Sequence, residues 1–204
     1  MANDEHNLGV KLEASGAGIP LIQERVLKYL IFPVLRRMIS LEKAVAIFEK
    51  EGMVALSLVR EVPEDLRYRQ VLVPRMVGIE DSSRNWSIMM TLDHLLIVSR
   101  GVAGLIAKLS RDELIEVVVD TADVKPDINS AANIERKFEV FLGRFRKHVS
   151  ESVSNRKTSR CHVHPWFGCL NPHGWVVMLA VHQWIHRRQI QQICISLKAE
   201  KKAT

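Results

Sequence analysis

The stretch Asn171-Pro172-His173-Gly174-Trp175-Val176-Val177-Met178-Leu179-Ala180-Val181-His182-Gln183-Trp184-Ile185-His186-Arg187-Arg188-Gln189 decides the fold. Trp175, Met178, Leu179, His182, Ile185, His186, Gln189, Ile193 and Leu197 recur at three- and four-residue spacing, the period of a helix with one buried face. Asn171 suits the N-cap, Pro172 suits the first helical position, and no proline follows, which predicts a helix from Pro172 to about Lys198. Four residues apart, His182 and His186 lie one above the other, with Cβ atoms about 5–6 Å apart. Two such imidazoles reach one ion through metal–nitrogen bonds of about 2.0–2.1 Å. Both fall on the face expected to be buried, so the rest of the chain is read for a third ligand.

The remaining segments read as helices of the same kind. Ser40 to Val62 carries a stripe of Val45, Phe48, Gly52, Ala55, Leu56 and Val59, capped by Ser40 and ended by Pro63. A second helix is predicted from about Ser83 to Leu109, with Trp86, Met89, Met90, His94, Ile97, Val98, Gly101 and Leu105 on one side. A third runs from about Ser130 to Val153 on Ile134, Phe138, Phe141, Leu142, Phe145 and Val149. The intervening connections are long, and Val117-Val118-Val119 suggests a short extended piece. Helix–helix connections of roughly 20 residues exceed the usual length, and crossovers within a bundle account for them. The expected fold is therefore all-α: a four-helix bundle (40–199) with long crossover connections and an extra N-terminal helical segment. Residues 1–39 form an extension of loop and amphipathic helix, and 200–204 a basic tail. In the extension, Leu21, Ile22, Val26, Leu27, Leu30, Ile31, Leu35 and Met38 give an apolar periodicity broken by Pro33. It is expected to be a kinked or broken helix packed outside the bundle, with a membrane-surface or dimer helix as the sharper reading.

Composition narrows the function. The 204 residues are 47% hydrophobic, enough to fill a core without disulfides or structural metal. The chain carries a formal net charge of +6, but its cations are dispersed and no recognisable nucleic-acid module or basic, aromatic-interleaved face appears. No nucleic-acid partner and no membrane is expected. The N-terminus Met1-Ala2-Asn3-Asp4-Glu5 is polar and acidic, unlike a signal peptide, and no apolar run approaches a bilayer span. A cytoplasmic protein with Cys161, Cys169 and Cys194 as reduced thiols is the expectation.

His94 lies four residues after Met90 and three before Ile97, hence on the inward face of the second helix. It is the third ligand candidate. Imidazoles accept zinc, nickel, iron or cobalt. Three neutral ligands leave the ion its full charge and at least one open position, the mark of a catalytic site. Such an ion acidifies bound water or holds a thiol as thiolate. Other residues carry structural readings beside functional ones. His164 either lines the pocket mouth or anchors its loop, and Gln189 either touches substrate or is a satisfied core amide. The Cys161-His162 and Cys169 spacing fits no standard zinc finger or ribbon. Cys194 reads as core, Arg187 and Arg188 as surface cations, Trp184 as packing or interface, and His148 as surface or boundary.

Asn85-Trp86-Ser87-Ile88 through Leu92-Asp93-His94-Leu95 resembles the second helix of the DinB-like family, metal-binding four-helix bundles that include bacillithiol transferases. His164-Pro165-Trp166-Phe167-Gly168, then Gly174-Trp175, then His182 to His186 and Arg188-Gln189 resembles that family's C-terminal block. The resemblance covers roughly Ser40 to Leu197. It implies a crossover bundle with a divalent metal on His94, His182 and His186, zinc or nickel foremost, with iron, cobalt or manganese also compatible. It implies thiol S-transfer or hydrolysis, with a small-molecule thiol or electrophile as partner; apart from the resemblance, a homodimer is the assembly considered. No catalytic residue is assigned beyond the metal centre, and Gln189, His164 and Trp175 are candidates for contacts to substrate or ligands. The alternative is a non-catalytic metal-binding or stress-response bundle. His173-Gly174, where relatives carry a polar or acidic residue, departs from the pattern.

Overall fold

A computed structural model describes residues 11–116, 120–127, 133–153 and 160–203. Four long helices make up the bundle: α3 (Leu41–Arg60), α4 (Ile88–Ser110), α5 (Ile134–Ser152) and α6 (Pro172–Ala203). Ahead of them stand α1 (Leu21–Val26) and α2 (Phe32–Met38), joined without a break by a π turn over Leu27–Ile31. Two short antiparallel pairs complete the fold: β1 (Val71–Leu72) with β2 (Asn85–Trp86), and β3 (His162–His164) with β4 (Gly168–Leu170).

Packing follows the apolar periodicity. On α3, Ala44, Val45, Phe48, Gly52, Ala55, Leu56 and Val59 are buried, and the Ser40 hydroxyl caps the helix by accepting from the Lys43 amide. On α5, Ile134, Phe138, Leu142, Phe145 and Val149 face inward. Gly52 is small for a packing reason: a Cβ there would lie 2.5 Å from Leu142 Cδ2. Helix α3 packs on α5 and α6, and α4 also packs on α5 and α6. On α6, Trp175 to Ala180 are buried on every side. That run lacks an outward face because this part of the helix is enclosed in the core. Helix α4 is apolar and long enough to cross a bilayer by composition, contrary to expectation, yet 67% of its most apolar window is buried within the bundle.

Several boundaries differ from the sequence reading. Helix α4 starts at Ile88, because the Ser87 hydroxyl accepts from the Met90 amide while Asn85 and Trp86 pair as a strand. Helix α6 continues beyond Lys198, and Glu200 pairs with Arg69 at 2.7 Å. The valine run 117–119, residues 1–10 and the expected start of the third helix at 130 lie outside the described residues. The N-terminal segment is not broken at Pro33: it stays helical from Leu21 to Met38. Proline offers no N–H and crowds the carbonyl four residues back, and the π turn directly before it relaxes that clash.

The cysteine expectation fails for two of three. Cys161 and Cys169 form a disulfide with Cα atoms 5.5 Å apart, tying the residue before β3 to the middle of β4, and only Cys194 is free. The antiparallel hairpin brings the two residues within bonding reach, a proximity that their separation of eight in sequence does not reveal. Cys194 is a buried core residue, and burial raises its thiol pKa to about 11.

Candidate metal centre

His94 on α4 and His182 and His186 on α6 converge, each offering a ring nitrogen, with all three nitrogens within 4.8 Å of one another. Ring centroids are 5.0 Å apart for His94–His182, 4.6 Å for His94–His186 and 4.5 Å for His182–His186. Contact between α4 and α6 brings these distant stretches of chain together.

Outer partners set the tautomers. His94 Nδ1–H donates to the Val124 carbonyl at 2.7 Å, leaving its Nε2 as a bare acceptor 3.0 Å from His182 Nε2. His186 Nδ1–H donates to Gln189 Oε1 at 2.8 Å, and the Gln189 amide nitrogen donates to the Ser83 carbonyl at 2.7 Å. Two lone pairs are thus aimed inward by bonds on the far sides of their rings. Gln189 is a satisfied core amide that also orients a histidine. Burial lowers the His94 pKa to about 4 and holds His182 and His186 well below the ordinary histidine range, so all three are neutral at physiological pH.

The three-histidine cluster is compatible with a divalent ion. Two nitrogens on one tetrahedral ion, at bonds of about 2.0–2.1 Å, lie about 3.3–3.4 Å apart. The His94–His182 pair at 3.0 Å needs only a few tenths of an ångström more.

Other contacts were not legible as site residues. The Trp86 ring lies 5.0 Å from that of His94 and stacks on His186 at 6.0 Å. Glu80, buried, accepts from Lys125 and Thr121, and Lys125 also donates to Ser83 Oγ. Burial pushes the Glu80 carboxyl up, but these hydrogen bonds outweigh it and hold the group below its usual range. The pair pins the segment carrying Val124, and with it the carbonyl that orients His94. Sequence spacing cannot reveal this, because the partners come from two connections and one of them is a backbone atom.

A cavity of about 510 Å³ opens beside the three rings. Its wall includes Ile97, Val98, Gly101, Gly104 and Leu105 of α4, Met178 and Trp175 of α6, and His162, His164 and Trp166 of the hairpin region. A Cβ at Gly101 or Gly104 would meet nothing within 4 Å. At Gly78, also on the wall, φ is +84° and a Cβ would lie 2.6 Å from Ile185 Cδ1, so glycine serves both turn and packing there. His164 both lines the cavity and anchors its loop, its Nδ1 accepting from the Trp166 amide at 3.0 Å. Trp175 lines it too and is 1% exposed. Away from the cluster, Trp184 is surface-exposed under the Arg188 guanidinium, Arg187 pairs with Glu51, and His148 bonds the Ala103 carbonyl.

No protein-family profile and no curated protein matches the chain. Among solved structures it is similar to TT2238, described as a four-helix bundle protein, at 22% identity with a TM-score of 0.50. The match covers 74% of this chain and 98% of that one. The fold is that of a four-helix bundle.

Proposed function

We propose that this chain is a metal-dependent enzyme of the DinB-like type, performing thiol S-transfer or hydrolysis at a divalent ion held by His94, His182 and His186. The observation that carries the reading is the convergence of two imidazole lone pairs, each fixed by a hydrogen bond on the opposite ring nitrogen, at the edge of a ligand-sized cavity. His94, His182 and His186 would hold a divalent cation, zinc or nickel foremost among those that imidazole accepts, and it would supply Lewis acidity toward a water or a small thiol. The protein's part is positional. Val124 and Gln189 hold two rings in register, Glu80 and Lys125 hold Val124, and Trp86 closes the far side of the cluster against solvent. The apolar wall from Ile97 to Leu105 receives the carbon skeleton of a thiol or electrophile, while His164, with Nδ1 occupied, offers Nε2–H to the cavity side. The long connections 61–87 and 153–171 are read as crossovers, since α3 and α4, like α5 and α6, are joined in sequence yet pack chiefly on the other two helices. We place the protein in the cytoplasm, the compartment of low-molecular-weight thiol chemistry.

The test is a screen of metal-loaded protein against glutathione-, bacillithiol- and mycothiol-type donors with a panel of electrophiles and esters. Turnover that requires the metal and disappears in His186→Ala supports the proposal. Full metal occupancy with no metal-dependent turnover would favour the non-catalytic bundle.

A further inference from the structure

The segment Leu21–Met38 turns outward what a soluble bundle ordinarily buries. Ile22 is 81% exposed, Met38 77%, Leu30 64% and Val34 53%, and Leu21 and Tyr29 are similarly open. Ile22, Val26, Leu30, Val34 and Met38 follow one another at four-residue steps, so they form one stripe along an uninterrupted helical stretch of about 27 Å. The opposite side is firmly seated. Phe32 is buried and stacks on Phe167 at 4.4 Å, Leu35 and Ile39 pack on the core, and the Ile39 carbonyl accepts from His173 at 2.8 Å. The stripe is therefore displayed by a helix fixed to the body of the protein. Contiguous exposed apolar surface of this kind marks an interaction site.

Charge decides between occupants. The segment carries Arg25, Lys28, Arg36 and Arg37 against the single acid Glu24. A two-fold contact with a second copy would gather these like charges around its own seam. A surface of anionic lipid instead takes the apolar stripe into the acyl boundary and neutralises the flanking cations. Tyr29, with the Lys28 ammonium 5.6 Å from its ring centre, supplies the aromatic and cationic pair suited to headgroup depth. We propose that Leu21–Met38 is an interfacial helix that docks the protein on an anionic membrane surface, lying in its plane. This departs from the expectation of no membrane partner. It does not rest on the metal reading.

The experiment is co-sedimentation of the full chain with vesicles of phosphatidylcholine alone and of phosphatidylcholine with phosphatidylglycerol in equal parts, at low and high salt. Two variants accompany it, Ile22→Glu/Leu30→Glu and Arg25→Glu/Arg37→Glu, all at exposed positions, with thermal melts to verify folding. Salt-sensitive binding to the mixed vesicles, weakened at least about tenfold by each variant, is expected. Absence of binding, or binding unchanged by both variants, overturns the proposal. So does a wild-type dimer that Ile22→Glu/Leu30→Glu converts to monomer while neither form binds vesicles.

Discussion

Gln189 accepts a hydrogen bond from His186 at 2.8 Å and, through the other end of its amide, donates to the Ser83 carbonyl at 2.7 Å. A side chain that could have been a substrate contact is thereby committed to holding one imidazole. Gln189→Leu removes the acceptor at similar volume. It should weaken divalent-metal affinity by roughly 10–100-fold while leaving a cooperative melt. Competition with a chelating dye measures this, and unchanged affinity would deny Gln189 its orienting role.

Glycines on two helices should respond oppositely to alanine. At Gly101 the added methyl meets open space beside the cavity, and helix propensity alone should raise stability by roughly 0.5–1 kcal/mol. At Gly52 it collides with buried Leu142 and should cost about 1–3 kcal/mol. Urea unfolding of both variants distinguishes the two signs.

Metal-free protein should lose stability on mild acidification. Burial lowers the pKa of His94 to about 4 and of His164 to about 3, whereas in the unfolded chain each titrates near 6.5. Below about pH 6.5 the unfolded chain binds more protons than the folded one, so stability falls as pH drops through that value. The His94 contribution stops changing below about pH 4. His182 and His186 act in the same direction. Urea midpoints should fall between about pH 7 and about pH 5, with a shallower slope in His94→Gln. A flat profile would place these imidazoles in water.

The cysteines give a simple titration. Denatured without reductant, the protein should present one reactive thiol, Cys194, and three after reduction. Three thiols from the outset would mean that the hairpin is not cross-linked.

The bundle was legible because its signals are local and repeated. Ser40 and Asn171 mark helix starts, and the stripes of α3 and α5 match the buried faces nearly residue for residue. The three histidines were legible for the same reason, since each sits on an inward helical face. What spacing could not supply is everything set by chain segments meeting across the fold. The Val124 carbonyl, the Glu80–Lys125 pair, the disulfide and the Trp86 ring over His94 and His186 all depend on connections without a period. Trp86 fits the α4 stripe by its apolar character, yet it belongs to a short strand pair. The outward stripe of α1 and α2 was visible as periodicity, but only the seating of Phe32 against Phe167 reveals which side faces out.

The central claim is that imidazoles from α4 and α6 hold one cation. Elemental analysis and calorimetric titration with zinc and nickel, on protein purified without an affinity tag, test it most directly. One ion per chain is predicted for the wild type, and no stoichiometric ion for folded His94→Ala/His182→Ala. Full metal retention in that double variant, or a wild type that takes up neither metal, would contradict the account.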